Sequence, residues 1–475
     1  MPAPNKTKIV CTIGPASRSP EVLEKLMAAG MDIARLNFSH GGFEQHKKDI
    51  QQIKAVAHKL GKPVAIMADL PGPKIRIGDL AEEEIELVNG QSLILTTLDV
   101  VGTTEKIAVN LPNLHQVVAV GENIFLNDGF LQLEVKEIRG RDIHCRVVVG
   151  GPLRSKKGLN IPDVDLGIDI LTEKDKEIAA FALENGADAL SLSFVEKAED
   201  IVELRELAND LDHDPFIIAK IERSQAITNL DAILSQADGI MVARGDLGVE
   251  IPIARIPVVQ KMIVRKANQL GKPVITATHM LESMIHNVIP TRAEATDVAN
   301  AILDGTDCVM LSGESAVGKH PVESVTTLSD IAVEAEHLRS TQKSYSSSAL
   351  TPASCSLDII APSVEASVYR LSPAAVLVPT RSGTTARNIA RHHLPVWVVG
   401  VSKKKKSCMD MVFTYGVIPV HEHDHPTNWR HWAKKMLEEH GLHGKWVILT
   451  EGPSSKYPDR NDRMEIMDLT RKASN

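Results

Sequence analysis

The sequence predicts an α/β protein: a TIM (β/α)8 barrel, interrupted by a small inserted β-barrel domain and followed by a C-terminal α/β domain. Three observations predict it. Short apolar runs alternate with amphipathic segments, recurring roughly every 25–35 residues, the pace of βα units. The alternation lapses once, from Ile75 to about Leu166, where period-2 runs are split by Gly and Asn turns. A Ser- and Thr-rich stretch, Ser340 to Ser356, then precedes a second set of apolar runs. An open doubly wound sheet is the competing fold. It would need a Gly-rich dinucleotide loop after the first strand, and Gly14-Pro15-Ala16-Ser17 is not one.

Each element has its own signal. Lys8 to Ile13 reads as the first strand. Ser19-Pro20-Glu21 opens a helix, with Ser as N-cap and Pro in the first turn, and Gly30 ends it. Met31 to Phe38 is the second strand, a helix runs to Leu60, and Val64 to Leu70 is the third strand. Pro71-Gly72-Pro73 breaks the pattern. Within the insert, Glu84 to Leu87, Ser92 to Thr96, Leu131 to Ile138 and Ile143 to Val149 alternate as strands. Helical patterning resumes at Thr172-Glu173-Lys174-Asp175. Further strands are expected at Ala187 to Ser193, Phe216 to Ile221, Gly239 to Ala243, Pro273 to Ala277 and Cys308 to Leu311. The tail should hold strands at Ala375 to Val378, Val396 to Val401, Val417 to Val420, Trp446 to Leu449 and Met464 to Leu469. The expected domains are 1–70 with 167–339 (barrel), 71–166 (insert) and 340–475 (C-terminal).

Composition narrows the function. A net charge of −8 argues against nonspecific nucleic-acid binding. The five cysteines are scattered without a CxxC pair, as expected of a reducing cytoplasm. Met1-Pro-Ala-Pro-Asn-Lys6 has no signal h-region, and no apolar run reaches membrane-spanning length, so a cytoplasmic protein is expected.

The chemistry gathers at one end of the barrel, because active sites of this fold lie at the C-terminal ends of the strands. Strand five, Phe-Ile-Ile-Ala-Lys-Ile-Glu from Phe216, is an apolar run broken by Lys220 and Glu222. Residues two apart in a strand point the same way, so an ammonium and a carboxylate emerge side by side. A surface ion pair at a strand end is the plain alternative. Strand six weakens that alternative by ending in Arg244, Gly245 and Asp246. Strand two ends in Arg35, Asn37, Ser39 and His40, strand three in Asp69 with Lys74 and Arg76 beyond it. Strand seven ends Thr276-Ala-Thr278-His279, and strand eight leads to Ser312 and Glu314. An acidic chain has thus placed Arg35, Lys74, Arg76, Lys220 and Arg244 at one mouth, which suits a phosphorylated substrate. Glu222 and Asp246 are hard oxygen donors of the kind that bind Mg²⁺ together with substrate phosphates. The residues point to Mg²⁺-assisted phosphoryl transfer. A Mg²⁺-dependent lyase or aldolase acting on enolates, and a metabolite sensor on an inactive barrel, are the competing readings.

Seven stretches make the chain resemble the pyruvate kinase family over nearly its whole length. They are Thr12-Ile-Gly-Pro-Ala-Ser17, Ala34-Arg-Leu-Asn-Phe-Ser-His-Gly41, Ile217-Ile-Ala-Lys-Ile-Glu-Arg-Ser-Gln-Ala-Ile227, Met241-Val-Ala-Arg-Gly-Asp-Leu-Gly-Val-Glu250, Met280-Leu-Glu-Ser-Met284, Pro290-Thr-Arg-Ala-Glu294 and Met310-Leu-Ser-Gly-Glu-Ser315. The resemblance implies transfer of a phosphoryl group from phosphoenolpyruvate to ADP, giving pyruvate and ATP. It implies that Arg35 holds the phosphoryl group, that Glu222 and Asp246 carry Mg²⁺ (or Mn²⁺), and that Lys220 stabilises the transferring group and the enolate. Gly245, Asp246 and Thr278 would seat the substrate carboxylate, and Thr278 with Glu314 would protonate the enolate. Asn37, His40, Arg76 and Lys157 would contact the nucleotide, which makes the insert a lid. A homotetramer is the family's usual assembly.

Two places depart from the family or extend the reading. The family's monovalent-cation pocket would fall on Asn37, Ser39, Asp69 and the carbonyl of Leu70. Here Lys74 stands where the family usually has Glu. A fixed ammonium can supply the charge of a bound K⁺, so activity without added K⁺ is expected. His279 stands where the family often has Gln, and no catalytic role is expected of it. In the tail, Pro379-Thr-Arg-Ser-Gly-Thr-Thr-Ala-Arg387 follows a strand and opens a helix, an arrangement able to cradle an anion. By resemblance, Thr380, Arg381, Ser382, Thr384, Thr385 and Lys456 would bind a phosphorylated allosteric effector, with Trp429 and Arg430 near. Lys403 to Lys406 reads as a solvated helix start. His421-Glu-His-Asp-His425 has the composition of a metal site but no partner cluster.

Overall fold

The structure is a computed structural model, and it describes residues 5–162, 164, 166–342, 356–424, 426–452 and 462–471. Eight parallel strands close into a barrel in the order one, eight, seven, six, five, four, three, two. They are Lys8–Thr12, Met31–Asn37, Ala65–Leu70, Ala189–Leu192, Phe216–Ile221, Gly239–Ala243, Val274–Ala277 and Cys308–Leu311. Every residue of strands one, three, four, five, six, seven and eight is buried, as parallel strands covered by helices require.

The caps fall where side-chain chemistry dictates. Ser19 caps the helix Pro20–Ala29 through a bond from the Val22 amide, and Gly30 closes it at φ 130°. Thr172 and Asp175 form a capping box on Glu173–Glu184, and Thr291 with Glu294 does the same for Arg292–Asp304.

The insert between strands three and four is an open half-barrel rather than a closed barrel. A six-stranded sheet runs Leu159–Asn160, Asn123–Leu126, Leu131–Arg139, Asp142–Val149, Ser92–Thr96, Lys106–Ala108. Its edge strands are two and three residues long and do not pair with each other, so the sheet stays open. Gly151–Arg154 and Glu84–Leu87 pair as a separate ribbon. The insert has its own apolar core, built on residues such as Leu93, Ile124, Leu133 and Val147.

The C-terminal domain holds five strands in the order Val417–His421, Trp397–Ser402, Ala375–Pro379, Trp446–Glu451, Arg463–Asp468, the last antiparallel. It seals the barrel's base. Phe413 stacks on Phe216, the first residue of strand five, with ring centroids 4.9 Å apart. The Lys8 ammonium donates to the Val417 carbonyl at 2.9 Å. Asp307 accepts from the Tyr415 amide at 2.9 Å and from the Val274 amide at 3.0 Å. The four described cysteines are free and buried. Among the described residues no helix is long and apolar enough to cross a membrane.

Candidate active site

Strand five delivers Lys220 and Glu222 side by side, as the period of two requires. The Lys220 ammonium lies 2.9 Å from Glu222 Oε1 and 3.4 Å from Asp69 Oδ1, and donates to Ser193 Oγ at 2.7 Å. Burial alone would lower the Lys220 pKa. Asp69 and Glu222 outweigh it, and the group is pushed up to about 12. Lys220 is therefore a fixed cation at neutral pH, in a site where only 10% of its side chain is exposed.

The carboxylates around it differ. Asp69 is buried, which raises its pKa, but Arg35 and Lys220 more than compensate and hold it below the usual range. Arg35 donates to Asp69 Oδ2 from Nε at 3.1 Å and from Nη2 at 2.5 Å, and to Thr12 Oγ1 at 2.8 Å. Ser191 Oγ donates to Asp69 Oδ1 at 2.6 Å. Glu222 is pushed up, first by burial and further by the negative charge of Asp246, with Lys220 opposing. Among the described residues its one backbone donor is the Phe194 amide, at 2.8 Å. Asp246, in the first turn of the helix Arg244–Glu250, has no hydrogen-bond or ion-pair partner among the described residues. Two carboxylates from adjacent strands thus repel each other across a buried site. A divalent cation would relieve that repulsion, so the donor set fits Mg²⁺ or Mn²⁺.

Backbone strain marks the same place. Thr278 and His279 have φ of 63° and 54°, and Phe194 has 58°. A β-branched residue in the left-handed region is a true outlier, of the kind held at functional sites. The Gly245 amide donates to Thr278 Oγ1 at 2.8 Å, and Arg244 Nη2 donates to the Thr278 carbonyl at 2.7 Å. These bonds pin the strained turn.

The chain belongs to the pyruvate kinase family. Residues 4–325 match the family model described as pyruvate kinase, barrel domain, and residues 358–467 match pyruvate kinase, alpha/beta domain. A pyruvate kinase of Thermococcus litoralis is 46% identical over 420 residues, spanning 87% of this chain and 88% of that one. One of Bacillus licheniformis is 44% identical over 459 residues, spanning 94% and 78%. The crystal structure of a pyruvate kinase from Cryptosporidium parvum superposes with a TM-score of 0.90 at 35% identity, over 98% of this chain and 96% of that one. The chain is accordingly an enzyme, a glycolytic phosphotransferase on a TIM barrel.

Against the pyruvate kinase pattern, some expected residues gather and others stand apart. Lys220, Glu222, Asp69 and Arg35 form one bonded network, with Asp246 beside it. Gly245 joins Thr278. Glu314 does not join Thr278 among the described residues. Its carboxylate accepts from the Leu281 amide at 3.1 Å and the Ser312 amide at 2.7 Å, and burial raises its pKa. Arg244 stands at the mouth with its guanidinium engaged by protein groups. Nη1 pairs with Asp297 at 2.5 Å, and the rest of the group serves the carbonyls of Ala277, Thr278 and His279. Asn37 uses its Oδ1 on the Ser39 amide at 3.1 Å, and the exposed His40 pairs through its carbonyl with His46 Nε2. Arg76 and Lys157 lie together at the root of the lid. Arg76 forms a backbone bridge with Gly158 and donates to the Lys156 carbonyl at 2.9 Å, while the Ile77 amide bonds Lys157.

Lys74 lines the cleft between lid and barrel with Phe194 and Asp246, its Cε beside Gly158. Among the described residues its ammonium has no bond to Asn37, Ser39, Asp69 or the Leu70 carbonyl. That carbonyl accepts from Ser193 Oγ at 2.6 Å. His279 pairs with Glu282 at 3.3 Å on the surface.

In the tail, Thr380 Oγ1 accepts from the Gly383 amide at 3.0 Å, Ser382 and Thr384 hydroxyls bond at 2.9 Å, and Arg381 is exposed. Thr385 follows in the helix Thr384–Ala390. Lys456 lies outside the described residues, as does His425. Trp429 is buried, its indole donating to Glu451 at 2.8 Å. Among the described residues no group of three His, Cys, Asp or Glu is placed to hold a metal ion, His421 and His423 included.

Sequence reasoning missed Thr12, Ser191, Ser193 and the Phe194 amide. The signal was present: Ala189-Leu-Ser-Leu-Ser193 alternates, placing two hydroxyls on one face of the fourth strand.

Proposed function

We propose that Lys220, Arg35, Glu222, Asp246 and Thr278 carry the transfer of a phosphoryl group from phosphoenolpyruvate to ADP. The phosphorus–oxygen bond to the enol breaks, a bond to the terminal phosphate oxygen of ADP forms, and the released enolate takes a proton on carbon to become pyruvate. Glu222 and Asp246 would hold a divalent ion, which when bound neutralises charge on the phosphoryl and enolate oxygens. Lys220, already cationic and immobile, stabilises the charge that grows on those oxygens without reorganising. Arg35, braced by Asp69 and Thr12, orients the phosphoryl group. The Gly245–Thr278 pair seats the carboxylate, and Thr278 with Glu314 belongs to the proton relay, Glu314 being held by two backbone amides. Asn37 and His40 on the barrel, with Arg76 and Lys157 on the lid, contact the nucleotide, and the lid excludes water from the transfer.

One observation supports this reading most: a buried ammonium 2.9 Å from one carboxylate, with a second carboxylate, unpaired among the described residues, in the helix turn after the next strand. Mixing the protein with phosphoenolpyruvate, ADP and Mg²⁺ should yield ATP and pyruvate in equal amounts. Pyruvate without ATP would contradict it.

Three finer points belong to the same reading. Lys74 replaces the positive charge of K⁺, moving from its place beside Gly158 toward Asn37, Ser39, Asp69 and Leu70 when substrate binds. Full activity in K⁺-free buffer is expected, and near-zero activity restored by K⁺ would contradict it. The loop Thr380–Thr385, with Lys456, binds a phosphorylated metabolite that activates. A panel of sugar phosphates and nucleotides should then include one that shifts the phosphoenolpyruvate saturation curve, and unchanged kinetics throughout would count against it. The assembly is a homotetramer, which sedimentation can verify or refute.

A further inference from the structure

Beside Glu222 stands an arginine with no assigned role. The Arg223 side chain is only 6% exposed, too enclosed to meet a substrate directly. Its Nη2 donates to the Val164 carbonyl at 3.0 Å. Its Nε lies 3.4 Å from Glu196 Oε1 and 3.4 Å from Glu250 Oε2. These three partners come from three different places. Val164 belongs to the apolar core of the lid. Glu196 follows Phe194, whose amide bonds Glu222. Glu250 ends the short helix whose first turn carries Asp246, and its carboxylate side chain is 0% exposed.

We infer that Arg223 is a positioning residue that sets the Glu222–Asp246 pair for the divalent ion and ties that pair to the lid. It reaches the Asp246 helix through Glu250, the Phe194 loop through Glu196 and the lid through Val164, while its own backbone fixes Glu222. A planar guanidinium can donate from Nη2 while its Nε edge faces two carboxylates as an ion pair. A lysine ammonium cannot match that fork. Groups that orient metal ligands from behind commonly matter about 10–100-fold to metal affinity. Gln225, which also approaches the Val164 carbonyl at 3.5 Å, strengthens the same tie.

The inference rests on Glu222 and Asp246 as the metal ligands, and the test separates the two. Mn²⁺ alone is titrated into the full-length protein and the free ion read by electron paramagnetic resonance. Wild type, Arg223→Met, Arg223→Lys and Glu222→Gln are compared, with circular dichroism as the check on folding. The expected result is loss of tight binding in Glu222→Gln, about 10-fold or more weakening in Arg223→Met, and a smaller weakening in Arg223→Lys. With substrates added, Arg223→Met should also raise the Mg²⁺ concentration giving half-maximal rate. If Glu222→Gln loses the ion while folded Arg223→Met binds like wild type, the positioning role is overturned and the ligands stand. If Glu222→Gln binds like wild type, the ligand assignment falls and this inference with it. Should Arg223→Met fail to fold, Arg223→Lys decides: wild-type affinity there overturns the role.

Discussion

The two ends of one barrel use buried charge in opposite ways. At the base, Lys8 and Asp307 are engaged by backbone: Lys8 by the Val417 carbonyl of the C-terminal domain, Asp307 by the Tyr415 amide of that domain and the Val274 amide of strand seven. At the mouth, charges face other side chains. Lys220 is shared among Asp69, Glu222 and Ser193, Glu222 has a single backbone donor, and Asp246 has no bonded partner among the described residues. Lys8 and Asp307 are therefore satisfied without a ligand. The mouth is balanced only when a cation and an anion arrive. Phe194, Thr278 and His279, all at the mouth, have positive φ, as does His393, which packs on Tyr415 at the base.

The largest expected break in that comparison is Lys220→Ala. Turnover should fall by about 10²-fold or more, because the mouth loses its preorganised cation. Steady-state rates on protein with a native circular dichroism spectrum check it, and near-normal turnover would remove Lys220 from the mechanism. At the base, Phe413→Ala should leave the mouth's chemistry intact in kind but cost about 3–5 kcal/mol of stability, seen in thermal denaturation, since a stacked, fully buried ring is lost.

A pH effect sharpens the contrast further. Burial pushes the Asp307 carboxyl from its ordinary 3.8 up to about 7, although two amides oppose the shift. A raised carboxyl pKa means the folded state binds the proton more tightly than the unfolded state. The stabilisation is complete below about 3.8 and is lost as pH rises through about 7. Thermal stability measured across that window should decline, and Asp307→Asn should flatten the decline. An unchanged slope in the mutant would place the pH dependence elsewhere, Asp188 being the next candidate because burial raises it to about 6. The smallest expected effect is Glu282→Gln, which removes only the exposed His279 pair and should change stability by about 0.5 kcal/mol or less.

Much of this was legible in the chain. Lys220 and Glu222 were readable because a strand's period of two is rigid, so spacing alone fixes direction. Asp246 was readable because it follows a buried strand end. The partners of Arg244 were not readable for the opposite reason: its sequence position gives its origin, but a long side chain chooses its partner in three dimensions, and Asp297 lies on a helix some fifty residues on. Ser191 and Ser193 passed as ordinary strand residues, because a hydroxyl gains meaning only from the charge opposite it. The half-barrel of the insert was partly hidden as well. Its strands at Asn123–Leu126 and Leu159–Asn160 are too short for alternation to register.

The central claim is that the mouth holds one divalent ion between Glu222 and Asp246 with the Lys220 ammonium alongside. Anomalous diffraction from a crystal grown with Mn²⁺ tests it most directly. The account predicts a peak in contact with both carboxylates. A peak elsewhere on the molecule, with those two side chains turned apart, would contradict it.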